Sequence, residues 1–212
     1  VKSIVVLLSG QGSNCVALIE ACQRENWSAR ISAVISNKPD ALGLSRAAAA
    51  GIATAVLEPR HFTDRASYDQ ALRDAIEQHQ ADLVLLAGFM RILSPQFVDH
   101  FAGRLMNIHP SLLPSFTGLD THRRALEAGV KVHGATVHFV TAELDAGPIV
   151  LQAVVPVLPD DDEDLLAARV LAMEHRIYPT AARWFVEDRL ELVGATVILR
   201  GDPEPTQFGV AS

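Results

Sequence analysis

Cysteine is scarce in this chain. Only Cys15 and Cys22 occur among 212 residues, and the helix read between them separates their Cα atoms by about 10.5 Å of rise, too far for a disulfide. A disulfide-stapled miniprotein is excluded, the spacing fits no zinc pattern, and unpaired thiols point to a reducing cytoplasm. Positive charge is also short: 18 Lys and Arg face 25 Asp and Glu, a net charge of −7 and a pI near 5.6. That is the wrong sign for tracking a phosphate backbone, so nucleic acid is not an expected partner. Long apolar runs are missing as well. Ile4–Leu8 and Leu83–Met90 fall well below the roughly 18 residues that span a bilayer, and no signal peptide is read before them. What is present, 49% hydrophobic and 20% charged residues with mean hydropathy +0.20, suffices for a sizeable core and excludes disorder.

The order of elements implies an α/β fold. A β-branched and leucine run at Ser3–Leu8 leads through Ser9-Gly10-Gln11-Gly12-Ser13-Asn14 into an amphipathic stretch ending at Asn26, which reads as strand, glycine loop and helix. Ile31–Ser36, Asp40–Ala50 and Thr54–Leu57 repeat the pattern, and Ser67–Gln80, Leu83–Ala87, Pro95–Phe101 and Leu105–Ile108 continue it. Unbroken apolar strands between helices predict a doubly wound, Rossmann-like, mostly parallel sheet. Gly134–Val140, Ile149–Val157 and Leu190–Leu199 are longer strand candidates with little helix between the first two, so a mixed or antiparallel C-terminal edge is expected. The acidic run Pro159–Asp164 reads as cap and dipole complement of a helix over Leu165–Val186 rather than as a metal site. Tyr178-Pro179 is expected to kink that helix or end its first half. With no repeat or linker, one domain over residues 1–200 is expected, with a nucleotide-phosphate half (1–100), a catalytic half (101–200) and a loose tail from 201 to 212.

Three places carry candidate chemistry. Ser9–Asn14 lies where a first strand hands over to its helix, and backbone N–H groups there, backed by the helix dipole, suit an anion. Cys15 stands where a dinucleotide fingerprint needs its third glycine. One phosphate on Gly12, Ser13 and Asn14 fits better than a dinucleotide, and a tight turn capped by Ser13 or Asn14 is the alternative. At the end of the fifth strand, alternation puts Asn107 and His109 on one side. An amide donor beside an imidazole suits acyl transfer, stabilising an oxyanion and moving a proton near neutral pH, although a histidine at a strand end is also a common structural residue. Asp145 in Glu143-Leu144-Asp145-Ala146-Gly147-Pro148 is the candidate orienting carboxylate, with Glu143 the alternative in a segment that also reads as an ordinary turn. His138 reads as a packed residue lining the pocket. No nucleophile elbow, Cys/His pair or metal-ligand cluster appears, leaving direct attack by a substrate nucleophile on a bound acyl donor.

Taken together, Ser9–Asn14, Ala87–Ser94, Asn107–Pro114, Gly134–Pro148 and Glu174–Pro179 resemble the phosphoribosylglycinamide formyltransferases of purine biosynthesis. The resemblance implies 10-formyltetrahydrofolate as cosubstrate, no metal, small-molecule partners only, a cytoplasmic location and a monomer or homodimer. It implies Asn107, His109 and Asp145 as the catalytic group, with Gly12, Ser13, Asn14 and Glu174 on glycinamide ribonucleotide. Arg65, Met90, Arg91, Ile92, Leu93, Asn107, Val140 and Asp145 would meet the folate. By residue type alone Glu174 reads as a surface charge. Asp120, Leu171 and Met173 depart from residues common in relatives, which bears on ribonucleotide binding. The rival readings are a 10-formyltetrahydrofolate deformylase, another folate-dependent formyltransferase, and a noncatalytic nucleotide-binding protein of Rossmann-like architecture.

Overall fold

The N-terminal apolar run forms β1 (Lys2–Leu8), in which Ile4 to Leu8 are wholly buried; withdrawing such a side chain from water contributes ~1.5–3 kcal/mol. A computed structural model describes residues 1–201 and 206–209, in two units, Val1–Asn107 and Ile108–Ser212. In the first unit β1 is followed by α1 (Ser13–Arg24), β2 (Ala29–Ser36), α2 (Leu42–Ala49), β3 (Ala53–Val56), α3 (Arg65–Glu77), β4 (Leu83–Leu86), α4 (Pro95–His100) and most of β5 (Leu105–His109). The strands lie in the order β5-β4-β1-β2-β3, all parallel, with Val5 opposite Val84 and Leu86 opposite Asn107. Parallel neighbours need crossovers, which the helices provide. Asp64 caps α3 in a capping box with Ser67, and Ser94 caps α4 just before Pro95.

The second unit opens with Ile108 and His109, the end of β5, and continues through α5 (Thr121–Glu127), β6 (Val132–Phe139), β7 (Ile149–Pro156) and α6 (Glu163–Val186). Strands β6 and β7 are antiparallel, with a register shift between Val137 and His138. Gly134 is required there, because a Cβ would stand 1.8 Å from the Ala153 carbonyl oxygen. Thus the fold is doubly wound and mostly parallel, with an antiparallel C-terminal edge. Helix α6 buries Leu166, Val170, Ile177, Tyr178 and Trp184. Asp162 accepts from the Leu165 N–H as its cap, with Glu163 and Asp164 in the first turn, the capping role expected of the acidic run.

Three local expectations are corrected. Of the kink or end expected at Tyr178-Pro179, the end does not occur, for helix α6 continues through Pro179 to Val186: Tyr178, Pro179, Ala181 and Ala182 are buried, so packing offsets the lost helical hydrogen bond, and the Thr180 hydroxyl donates to the Arg176 carbonyl. The strand read over Leu190–Leu199 is a hairpin, β8 (Leu190–Val193) and β9 (Thr196–Leu199), turned at Gly194, whose φ of 59° lies in the left-handed region. Within the tail expected to be loose, β10 (Gln207–Gly209) pairs in parallel with β7, while residues 202–205 and 210–212 lie outside the described residues. Helix α5, which short length and charge had hidden, was absent from the expected order.

Candidate active site

In the first unit the glycine loop is set by backbone contact. Gly12 has φ 73°, and a Cβ on it would fall 2.4 Å from Gly43 Cα in α2, so only glycine permits this approach. Gly43 N–H donates to the Gly10 carbonyl at 3.1 Å and Arg46 Nη1 to the Gln11 carbonyl at 3.0 Å. Gly12 is the N-cap of α1, and neither Ser13 nor Asn14 supplies a side-chain cap, so the capped-turn alternative is not what forms. Helix α2 therefore holds loop carbonyls, while the first N–H groups of α1 follow Gly12 without a side-chain cap.

The segment after β4 is tied to the end of β1. Buried Ser9 donates its hydroxyl to Asn37 Oδ1 at 2.6 Å and accepts from the Met90 N–H at 2.8 Å, while its own N–H donates to the Gly88 carbonyl. Asp69 accepts from the Ser94 N–H at 2.9 Å, fixing the far end. Between these anchors Met90 and Ile92 are 67% and 71% exposed, and Leu93 is buried. Two apolar side chains held outward on a fastened segment suit a flat, partly apolar ligand. The Arg91 guanidinium lies 4.3 Å from the Tyr68 ring centroid. Burial pushes the Tyr68 phenol up to about 12, so it stays neutral under the cation. Arg65 is exposed and its Nε lies 4.0 Å from Asp69 Oδ2.

The second unit gathers histidines around one carboxylate. His109 is buried at the end of β5. Its Nε2 donates to the Phe116 carbonyl at 3.0 Å, and its Nδ1 lies 3.5 Å from Asp145 Oδ2. Each ring nitrogen thus faces an oxygen atom of the protein. Asp145 Oδ2 also accepts from the Gly118 N–H at 2.8 Å, and His138 Nε2 lies 4.0 Å from Asp145 Oδ1. Of the two carboxylates in the 143–148 segment, Glu143 is exposed and Asp145 is the one at the imidazole. Its loop reaches inward because Gly147 lies where a Cβ would stand 1.7 Å from the Phe139 carbonyl oxygen.

Neutral imidazoles surround this pair. Burial holds His138 below the usual imidazole range, opposed by its Nδ1 bond to the Phe139 carbonyl and by Asp145. His133, edge-on to both Phe116 and His122, is pushed down to about 4, first by burial and then by His122. His122 is lowered by burial too. The loop after β5 is fastened to the sheet: the Thr136 hydroxyl donates to the Ser111 carbonyl and accepts from the Leu113 N–H, and Gln152 Nε2 donates to the Leu113 carbonyl.

Val140 is half-buried just after β6, and Glu174 is a buried carboxylate of α6 rather than a surface charge. Asn107 is the last residue of the first unit and is half-buried on β5. Sequence reasoning missed the Phe116 carbonyl and the Gly118 N–H, since backbone groups carry no residue-type signal, and it placed His138 as lining without its approach to Asp145. Burial pushes the Cys15 thiol up to about 12 and raises Cys22, and both are free.

Comparison with known proteins gives the family. Residues 2–182 match the family described as Formyl transferase. The chain is 53% identical over 205 residues to phosphoribosylglycinamide formyltransferase of Escherichia coli strain K12, covering 97% of each. Glycinamide ribonucleotide transformylase 1 from Symbiobacterium toebii is similar in structure, with TM-score 0.91, 47% identity and 93% of each chain covered. The phosphoribosylglycinamide formyltransferase structure from Anaplasma phagocytophilum gives TM-score 0.91 at 42% identity over 99% of each chain. By sequence along most of its length and by fold, this chain belongs to the formyl transferase family.

Proposed function

We propose that this formyltransferase moves the formyl group of 10-formyltetrahydrofolate to the amine of 5′-phosphoribosylglycinamide, giving formylglycinamide ribonucleotide and tetrahydrofolate in purine biosynthesis. The observation that carries the reading is the His109 imidazole between the Phe116 carbonyl and Asp145, in a chain whose relatives bear that activity in their names. The amine attacks the formyl carbon and a new C–N bond forms. Its oxygen takes up negative charge, stabilised by the imidazolium of His109 and the amide of Asn107, which strand alternation gives the same side as His109. The bond to N10 then breaks, as the attacking nitrogen loses a proton and N10 gains one. Asp145, through water, relays these protons while holding His109 partly charged.

Gly12, Ser13 and Asn14 hold the ribonucleotide phosphate at the start of α1, supported by the carbonyl ties from α2. Glu174 accepts from the ribose hydroxyls. Met90, Ile92, Leu93 and Val140 wall the pterin, and main-chain groups between the Ser9 and Asp69 anchors read its polar edge. Arg65 and Arg91 meet the folate's carboxylates. No helix among the described residues is long and apolar enough to cross a membrane, and two free thiols accord with a reducing cytoplasm.

The test follows tetrahydrofolate and formate release from 10-formyltetrahydrofolate with glycinamide ribonucleotide supplied or withheld. Tetrahydrofolate formed only with the ribonucleotide, without formate, is the expected result. Formate release that ignores the ribonucleotide would instead make the chain a deformylase.

A further inference from the structure

The two backbone groups that set the His109–Asp145 pair lie in one short loop, residues 116–119, whose conformation is costly. Phe116 has φ 54° and Asp120 has φ 55°, in the left-handed region that non-glycine residues seldom occupy, and Gly118 between them has φ 78°. A phenylalanine there persists only where its surroundings over-determine it. At the near end Thr136 and Gln152 hold residues 111 and 113, upstream of Phe116. At the far end Arg123 pairs with the Asp120 side chain and the Thr121 hydroxyl donates to the Pro110 carbonyl, while half-buried Arg124 holds the carbonyls of the loop itself. Arg124, on the first turns of α5, donates from Nη1 to the Thr117 carbonyl at 2.5 Å and to the Leu119 carbonyl at 3.2 Å. Its guanidinium carbon lies 5.7 Å from the Phe116 ring centroid.

We infer that Arg124 is a positioning residue for formyl transfer: by clamping Thr117, Leu119 and the Phe116 ring, it aims the Phe116 carbonyl at His109 and the Gly118 N–H at Asp145. This rests on the reading of His109 and Asp145 as the transfer centre and extends it to a side chain that touches neither. Nη1 has two N–H donors for the two carbonyls while the planar guanidinium lies near the Phe116 ring, a combination a compact ammonium does not reproduce. Neighbouring Arg123 is exposed and pairs with Asp120 and Glu127 side chains, making it the natural control for loss of charge on the same helix.

The test compares Arg124→Met, which keeps the apolar stem over Phe116 but removes every donor, with Arg124→Lys and Arg123→Met. Steady-state kinetics, melting temperature and hydrogen exchange at the Gly118 amide are read for each. Arg124→Met is expected to lower kcat roughly tenfold with both KM values within about twofold, because misaimed groups cost rate rather than binding. The Gly118 amide should exchange faster in the same variant. Arg124→Lys should recover part of kcat, and Arg123→Met should keep all of it. If Arg124→Met melts below the assay temperature, Arg124→Lys carries the test, with a smaller kcat loss at unchanged KM and faster Gly118 exchange. Unaltered kcat, unaltered Gly118 exchange, or a loss that merely follows the unfolded fraction overturns the inference. Where His109→Ala abolishes turnover and Arg124→Met does not lower it, only this inference falls. Where His109→Ala keeps full turnover, the transfer-centre reading falls first.

Discussion

Asp145 has φ 52°, so the residue at the centre of the account sits in a backbone region that aspartate and asparagine tolerate better than most. Asp145→Asn therefore keeps the loop while removing the charge. Its expected effect is a fall in kcat of roughly hundredfold, the scale of lost general acid–base assistance, with little change in melting temperature. Steady-state kinetics beside a thermal melt check both parts. His133 makes a different, pH-linked statement. Its folded form refuses a proton until about pH 4, against 6.5 for an unperturbed imidazole. The unfolded chain thus binds a proton that the folded chain does not, and stability falls as pH drops from 6.5 towards 4. His133→Gln removes that term, so its melting temperature should decline less over the window than the wild type's; parallel slopes would show that His133 is not responsible.

At this scale the sequence was informative where chemistry resides in residue type. Asn107 and His109 stood out through two-residue spacing at a strand end. Asp145 was ambiguous with a turn because its partner lies far away along the chain, and the choice over Glu143 depended on which one the Gly147 contact turns inward. Arg124 carried no signal, because no helix was read over residues 121–127.

Among elements, the apposition of α2 and the glycine loop is the most sensitive joint. A Cβ on Gly43 would stand 2.5 Å from Leu8 Cδ2 and 3.0 Å from Gly12 Cα, so Gly43→Ala must push α2 away from the loop whose carbonyls it holds. The expected outcome is a KM for glycinamide ribonucleotide raised about tenfold with kcat preserved, since the loss is in binding rather than in the transition state. Equal loss of kcat would place this joint in the chemistry instead. The parallel strands were legible because each is an unbroken apolar run, as in Leu83–Leu86. Errors arose where one local rule met a tertiary override. Pro179, expected to kink or end a helix by its missing N–H, does not end it, since buried Tyr178 and Trp184 carry the helix past it. Gly194 was lost inside an apolar stretch, and a hairpin was taken for a strand.

For the whole molecule, composition excluded more than it identified. A net charge of −7 argued against nucleic acid, and few cysteines against a stapled fold, but neither pointed to a formyl group. The family became legible only from several motifs in order, because each alone has an ordinary structural use. The proposed chemistry routes no step through a metal, and no group of three or more potential metal-ligating side chains occurs among the described residues. Prolonged treatment with a chelator, followed by assay in metal-free buffer, is expected to leave kcat unchanged; a loss restored by one added divalent ion would require a revised mechanism.

The most direct measurement is single-turnover formyl transfer by His109→Ala beside the wild type, with glycinamide ribonucleotide affinity determined separately for each. A transfer rate lowered roughly a thousandfold at unaltered ribonucleotide affinity is expected, the combined scale of lost oxyanion stabilisation and proton transfer. Transfer at the wild-type rate, or a loss explained entirely by weakened ribonucleotide binding, would contradict the assignment of His109 to the reaction centre.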